Sequence, residues 1–196
     1  MNTTVLRRRG WPALAALCAL ILLLAAGGEP ARALLRYDRA GLAAGEWWRL
    51  LSAHFVHLGV EHALLNLTGL CLLWALFAQE FRPRQWLLVV TCAMAVIDAG
   101  LWFLASTVEW YVGSSGVLHG VLAAGIVARV RARQPEGLPL AVALVAKLAW
   151  ERFHGALPLT AGGEVITVAH LYGSIGGAAV ALALAVIVPG LRRNRL

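Results

Sequence analysis

Charge is scarce in this sequence: Asp, Glu, Lys and Arg make up 14% of 196 residues while 60% are hydrophobic, and the mean hydropathy is +0.74. A water-soluble globule needs more polar surface, so a soluble fold is excluded and a polytopic membrane protein is expected. Cysteine is sparse as well. Cys18, Cys71 and Cys92 each sit inside an apolar run, with no CxxC or His/Cys spacing to join them, which excludes a disulfide framework and a thiolate metal centre. Low-complexity tracts and a soluble appendage are missing, so one membrane domain over residues 1–196 is expected. A basic soluble domain is missing too. The net charge of +7 therefore does not indicate a nucleic-acid partner; the basic residues cluster at the ends of apolar runs, where anionic headgroups and the insertion rule account for them.

Apolar segments suited to crossing ~30 Å of hydrocarbon lie at about 11–28, 62–79, 86–106, 114–130, 138–152 and 165–188. An all-α protein with six membrane spans is expected, the fifth short and interrupted by Lys147. Arg7-Arg8-Arg9 before the first run and Ala31-Arg32-Ala33 after it also resemble a cleavable leader, but the run is long for one, so a retained anchor is expected. Arg7–Arg9, Arg82 and Arg84, Arg129, Arg131 and Arg133, and Arg192, Arg193 and Arg195 all fall on one side of a six-span chain. That side is read as cytoplasmic, with both termini on it. The opposite side receives Glu109 in the third loop, and Glu151, Arg152 and Glu164 in the fifth. Residues 29–61 form the longest segment between spans; their apolar and charged residues at helical spacing, with Trp47 and Trp48, predict short helices in the outer interface.

Polar groups in hydrocarbon are costly, and three clusters stand out. His62 and Asn66 begin the second span at i,i+4, Gly113-Ser114-Ser115-Gly116 with His119 begin the fourth, and His170, Gly173 and Gly177 begin the sixth. These three spans run the same way, so the clusters share a depth. Gly116-xxx-Gly120 and Gly173-xxx-Gly177 permit close approach of the fourth and sixth spans, which would bring a serine near His170. Ser115 is the better candidate nucleophile, because it shares a helical face with His119, whereas Ser114 stands over Leu118 and Val121. Gly113 and Gly116 free the backbone so that amides at the helix start can face an oxyanion, and His62 and Asn66 can add donors. Such an acyl-transfer site needs no metal or other cofactor. With no obvious carboxylate, a Ser–His dyad is expected; Asp98 is a candidate to orient His170 but more simply a structural group, and Lys147 is expected to snorkel. A metal or haem site built on His62, His119 and His170 remains open, as do purely structural polar contacts.

Trp48-Arg49, His57, His62-xxx-Asn66, Gly113-Ser114-Ser115-Gly116 and His170-xx-Gly173-xxx-Gly177 together resemble the rhomboid intramembrane serine proteases over residues ~47–180. The resemblance implies a rhomboid-like fold, Ser115 as nucleophile, His170 as general base and acid, and an oxyanion hole of Asn66, His62 and the Ser115 amide. Gly113, Gly116, Gly173, Gly177, His119 and Arg49 would be supporting residues. YVGSSGVLHG and WWRLLSAHFVHLGVEHALLNLTGL are similar to rhombosortases. That branch implies a bacterial inner-membrane enzyme, its active site toward the periplasm. Its substrates would be exported, membrane-anchored proteins with a C-terminal tail of Gly-Gly motif, hydrophobic helix and basic end. A general rhomboid protease with other transmembrane substrates, or a non-catalytic relative that binds such segments, are the alternatives. Many rhomboids carry tyrosine four residues after the nucleophile; His119 stands here, and stacking or hydrogen bonding to His170 is its expected role.

Overall fold

The computed structural model describes residues 10–156 and 165–187. Arg7–Arg9, Glu164, Arg192, Arg193 and Arg195, which enter the expected sidedness, lie outside the described residues, as does position 188 at the end of the sixth run. The chain forms two compact units, Met1–Ala78 with Glu109–Ser114, and Gln79–Val108 with Ser115–Leu196.

In the first unit, α1 (Trp11–Ala26) and α2 (Gly28–Leu35) meet at a bend of 109°. The break falls at Gly27-Gly28-Glu29-Pro30, where proline can open a helix but not continue one. The α1 helix packs on α5 (Val60–Phe77) through buried Ile21, Ala63 and Leu67, with Leu17, Cys18, Ala25 and Leu70 around them. Between them the expected short helices are α3 (Arg39–Ala43), capped by Asp38 Oδ1 accepting from Gly41 N at 3.0 Å, and α4 (Arg49–Ser52). Buried Arg49 ties this segment together: it donates to the carbonyls of Ala33 and Arg36 at 2.9 Å each and pairs with Glu46 at 2.5 Å. Trp47, Trp48 and Leu51 remain exposed, as an interfacial segment requires. The all-helical expectation did not include the small antiparallel pair of β1 (Tyr37–Asp38) and β2 (Trp110–Tyr111), with Tyr37 opposite Tyr111. It forms because extended connections still need partners for their backbone groups.

The second unit contains α6 (Pro83–Phe103), α7 (Ser115–Arg131), α8 (Gly137–His154) and α9 (Val168–Ile187). Here α7 and α9 touch backbone to backbone. A Cβ at Gly173 would overlap the Gly116 carbonyl, and one at Gly177 the Gly120 carbonyl. Gly176 faces α6 less tightly, a Cβ there standing 2.9 Å from the Cys92 carbonyl oxygen. Val89, Ala124 and Ala181 fill the core between these three helices, and Ala123, Ile126 and Leu144 join α7 to α8. Apolar packing is therefore built around glycine contacts that admit no larger residue.

By length and composition, α5, α6 and α9 can each cross a bilayer, and the bent α1–α2 pair makes a fourth candidate. Helices also stand where the fourth and fifth spans are expected. They fall short of that measure, α7 with 17 residues and a polar opening, α8 with Lys147, Glu151 and Arg152.

Candidate active site

The first unit gathers one of the polar clusters around the chain that leaves β2. Gly113 N donates to the Ala53 carbonyl at 2.9 Å, and the Tyr111 hydroxyl donates to the Gly113 carbonyl at 2.6 Å. Gly113 has φ 117°, a conformation that favours glycine, and a Cβ there would press on the His62 ring at 3.2 Å. The Ser114 hydroxyl donates to Asn66 Oδ1 at 3.3 Å and lies 3.2 Å from His57 Nε2. Asn66 Nδ2 in turn donates to the His62 carbonyl at 2.9 Å, and the His62 ring meets His57 edge-on at 5.2 Å. Ser114 thus has partners of its own, and its pairing with His57 was not visible from spacing.

Burial, and then the neighbouring His62, push His57 down to about 4. A histidine held neutral in this way contributes stability that is fully present above pH 6.5 and is lost as pH falls toward 4. At about 1.4 kcal/mol per unit, that contribution is on the order of 3 kcal/mol. Thermal melts of detergent-solubilised protein from pH 7 to pH 4 are expected to fall steeply, and His57→Gln to flatten that decline; an unchanged slope would contradict the assignment.

In the second unit, the first residue of α7 meets the first turn of α9. Ser115 Oγ lies 2.9 Å from His170 Nε2. The other ring nitrogen, Nδ1, lies 2.9 Å from Glu151 Oε2, and Lys147 Nζ lies 2.5 Å from Glu151 Oε1. His119 Nδ1 donates to the Ser115 carbonyl at 2.7 Å, and its ring stacks on His170 with centroids 4.1 Å apart and planes 14° from parallel. The glycine contacts explain the approach: with Gly173 against Gly116, the two backbones come near enough for short side chains to bond.

Two expectations are corrected here. Glu151, counted toward the fifth outer loop although the expected run 138–152 includes it, stands in the last turn of α8, which runs to His154. It occupies the place beside His170 for which only Asp98 was considered. Lys147 does not simply snorkel, because a buried carboxylate one turn away offers it an ion pair. The sequence did carry a signal, Lys147-xxx-Glu151, an i,i+4 pair in a largely apolar helix. Arg49 stays within the first unit's loop, stacked near Trp48 and bonded as described.

Among the described residues, His119, Glu151 and His170 bring their donor atoms within 4.8 Å of one another, close enough to ask whether they hold a metal. The arrangement does not fit one. Nearly parallel stacked rings aim their in-plane lone pairs side by side, whereas ligation at ~2.1 Å needs them to converge on one point. Both His170 nitrogens and His119 Nδ1 are also engaged by Ser115 and Glu151.

What the group can do is move a proton. A hydroxyl beside an imidazole whose other nitrogen faces a carboxylate is the arrangement that turns serine into a nucleophile. A family model described as the Rhomboid domain matches residues 44–187. The protein "Putative rhomboid protease YdcA" of Bacillus subtilis (strain 168) is 24% identical over 137 residues, 70% of this chain and 67% of that relative. The matched stretch covers Asn66, Ser115, Glu151 and His170, and with apolar helices able to span a bilayer it identifies this chain as an integral membrane protein of the rhomboid family.

Proposed function

We propose that this protein is an intramembrane serine endopeptidase of the rhombosortase type, with Ser115 as nucleophile and His170 as general base, then general acid. The observation that carries the reading is the 2.9 Å separation of Ser115 Oγ and His170 Nε2 on helices in backbone contact. As Ser115 Oγ bonds to the scissile carbonyl carbon, its proton passes to His170 Nε2 and the carbonyl electron pair moves onto oxygen. The imidazolium then protonates the leaving amine, and water repeats the sequence on the acyl-enzyme. The resemblance assigns the oxyanion to Asn66, His62 and the Ser115 amide.

Rhomboid proteins act on membrane proteins within the bilayer. The finer reading is that the substrates are exported bacterial proteins bearing a Gly-Gly, hydrophobic-helix and basic C-terminal tail. The site would face the periplasmic side of the inner membrane, with both termini cytoplasmic; similarity to rhombosortases and the basic residues between spans support this. Co-expression with a secreted reporter bearing such a tail is expected to release the reporter cut near the Gly-Gly motif. Mass spectrometry of the new C-terminus reads the chemistry: a free carboxylate means hydrolysis, and an amine-linked end means transfer. An uncut tail, alongside cleavage of a transmembrane reporter without Gly-Gly, would replace this reading with that of a general rhomboid protease.

A further inference from the structure

We infer that Glu151 is a positioning residue for His170, kept ionised by Lys147, so that the chemistry runs on a Ser115–His170–Glu151 series; this rests on the reading of Ser115 and His170 above. The two ring nitrogens of His170 point to opposite partners, Nε2 to Ser115 Oγ and Nδ1 to Glu151 Oε2, each at 2.9 Å. Which nitrogen carries the proton is then decided by the charge of the acid. An ionised carboxylate can only accept, so Nδ1 holds the hydrogen and Nε2 presents its lone pair to the serine hydroxyl. A protonated carboxyl would donate instead, force the hydrogen onto Nε2, and leave His170 unable to take a proton from Ser115.

Burial makes the second state a real danger. Glu151 is 6% exposed and His170 4%, and a carboxylate removed from water keeps its charge only if it is paired. Lys147 supplies that pairing from one turn earlier on the same helix. Its Nζ takes Oε1 at 2.5 Å and leaves Oε2 for the imidazole, so the acid serves both groups at once. The stacked His119 ring covers one face of His170 and limits its rotation. When Ser115 attacks, the positive charge that appears on His170 lies beside a fixed negative charge; Glu151 accepts no proton in the cycle. A dyad without this carboxylate would have to develop that charge in an apolar setting with no counter-ion.

The test uses the full chain in micelles with 15N-labelled histidine, His170 being assigned by its loss in His170→Asn. The expected spectrum shows His170 protonated at Nδ1 with that proton strongly downfield; a proton on Nε2 would overturn the inference. In cleavage kinetics, Glu151→Gln is expected to lower kcat by about 10²- to 10⁴-fold with little change in KM. Glu151→Asp should recover part of the loss, and Lys147→Met should give a smaller loss of the same kind. Wild-type kcat in Glu151→Gln, or a loss confined to KM, would also overturn it. If Glu151→Gln does not fold, the wild-type spectrum decides alone. Full cleavage by Ser115→Ala would end the proteolytic reading and leave the tautomer result standing. A dead Ser115→Ala beside a fully active Glu151→Gln would end only this inference.

Discussion

Ser115→Ala is expected to reduce cleavage of a tail-bearing reporter to background, a loss of about 10⁶-fold in kcat. The size follows from the chemistry: without the hydroxyl no acyl-enzyme forms, and what remains is the weak catalysis of substrate binding and oxyanion donors. The adjacent Ser114 is not a substitute nucleophile, because its hydroxyl proton is donated to Asn66 Oδ1, an amide oxygen that cannot serve as a base. Ser114→Ala should therefore keep measurable turnover where Ser115→Ala does not. Labelling of purified protein with a fluorophosphonate gives the same contrast without a substrate, disappearing in Ser115→Ala and persisting in Ser114→Ala. Undiminished cleavage or labelling in Ser115→Ala would remove the proteolytic reading altogether.

The second large effect is expected far from any reacting atom. A Cβ at Gly177 would overlap the carbonyl of Gly120, and backbone cannot rotate aside as a side chain does. Gly177→Val must push α9 away from α7, at a cost of about 3 kcal/mol or more in stability. The same displacement separates Ser115 from His170, which those two helices bring to 2.9 Å. A shift of ~1 Å at a reacting pair costs about 10²-fold, so even the milder Gly177→Ala should lower kcat by roughly that factor while the protein still inserts. Gly59→Ala is the control, since nothing lies within 4 Å of a Cβ there and its φ of −177° is open to any residue. Thermal melts and reporter cleavage of the three variants check this; wild-type kcat in Gly177→Val would mean that helix contact does not set the geometry.

Much of the architecture is legible in the sequence alone. Apolar run lengths locate the helices, because the drive to leave water is a sum over local composition. The family signature was legible for a similar reason: its glycines, serines and histidines stand at spacings a helix maps onto one face. Ser115 stands apart from Ser114 in the sequence through its i,i+4 relation to His119 and through the resemblance; the structure adds that the two hydroxyls have different partners altogether. Less legible was the first unit's loop. Whether Arg49 reaches the carbonyls of Ala33 and Arg36, or Tyr37 pairs with Tyr111, depends on how separate segments fold back on each other. No local pattern reports that.

Composition and periodicity by themselves determined a helical membrane protein with polar clusters at span ends, and the order of those residues carried the resemblance to the rhomboid family. Tertiary structure decided which acid stands behind the histidine. Asp98 and Glu151 are both carboxylates in largely apolar helices, and although Lys147-xxx-Glu151 marks one of them as paired, the sequence does not say which faces His170, because that depends on the rotation and axial offset of one helix against another. Those are fixed by where the glycines of α7 and α9 let backbones touch, and by where α8 packs against α7 through Ala123, Ile126 and Leu144. The result puts Glu151, nineteen positions before His170, at 2.9 Å from its ring.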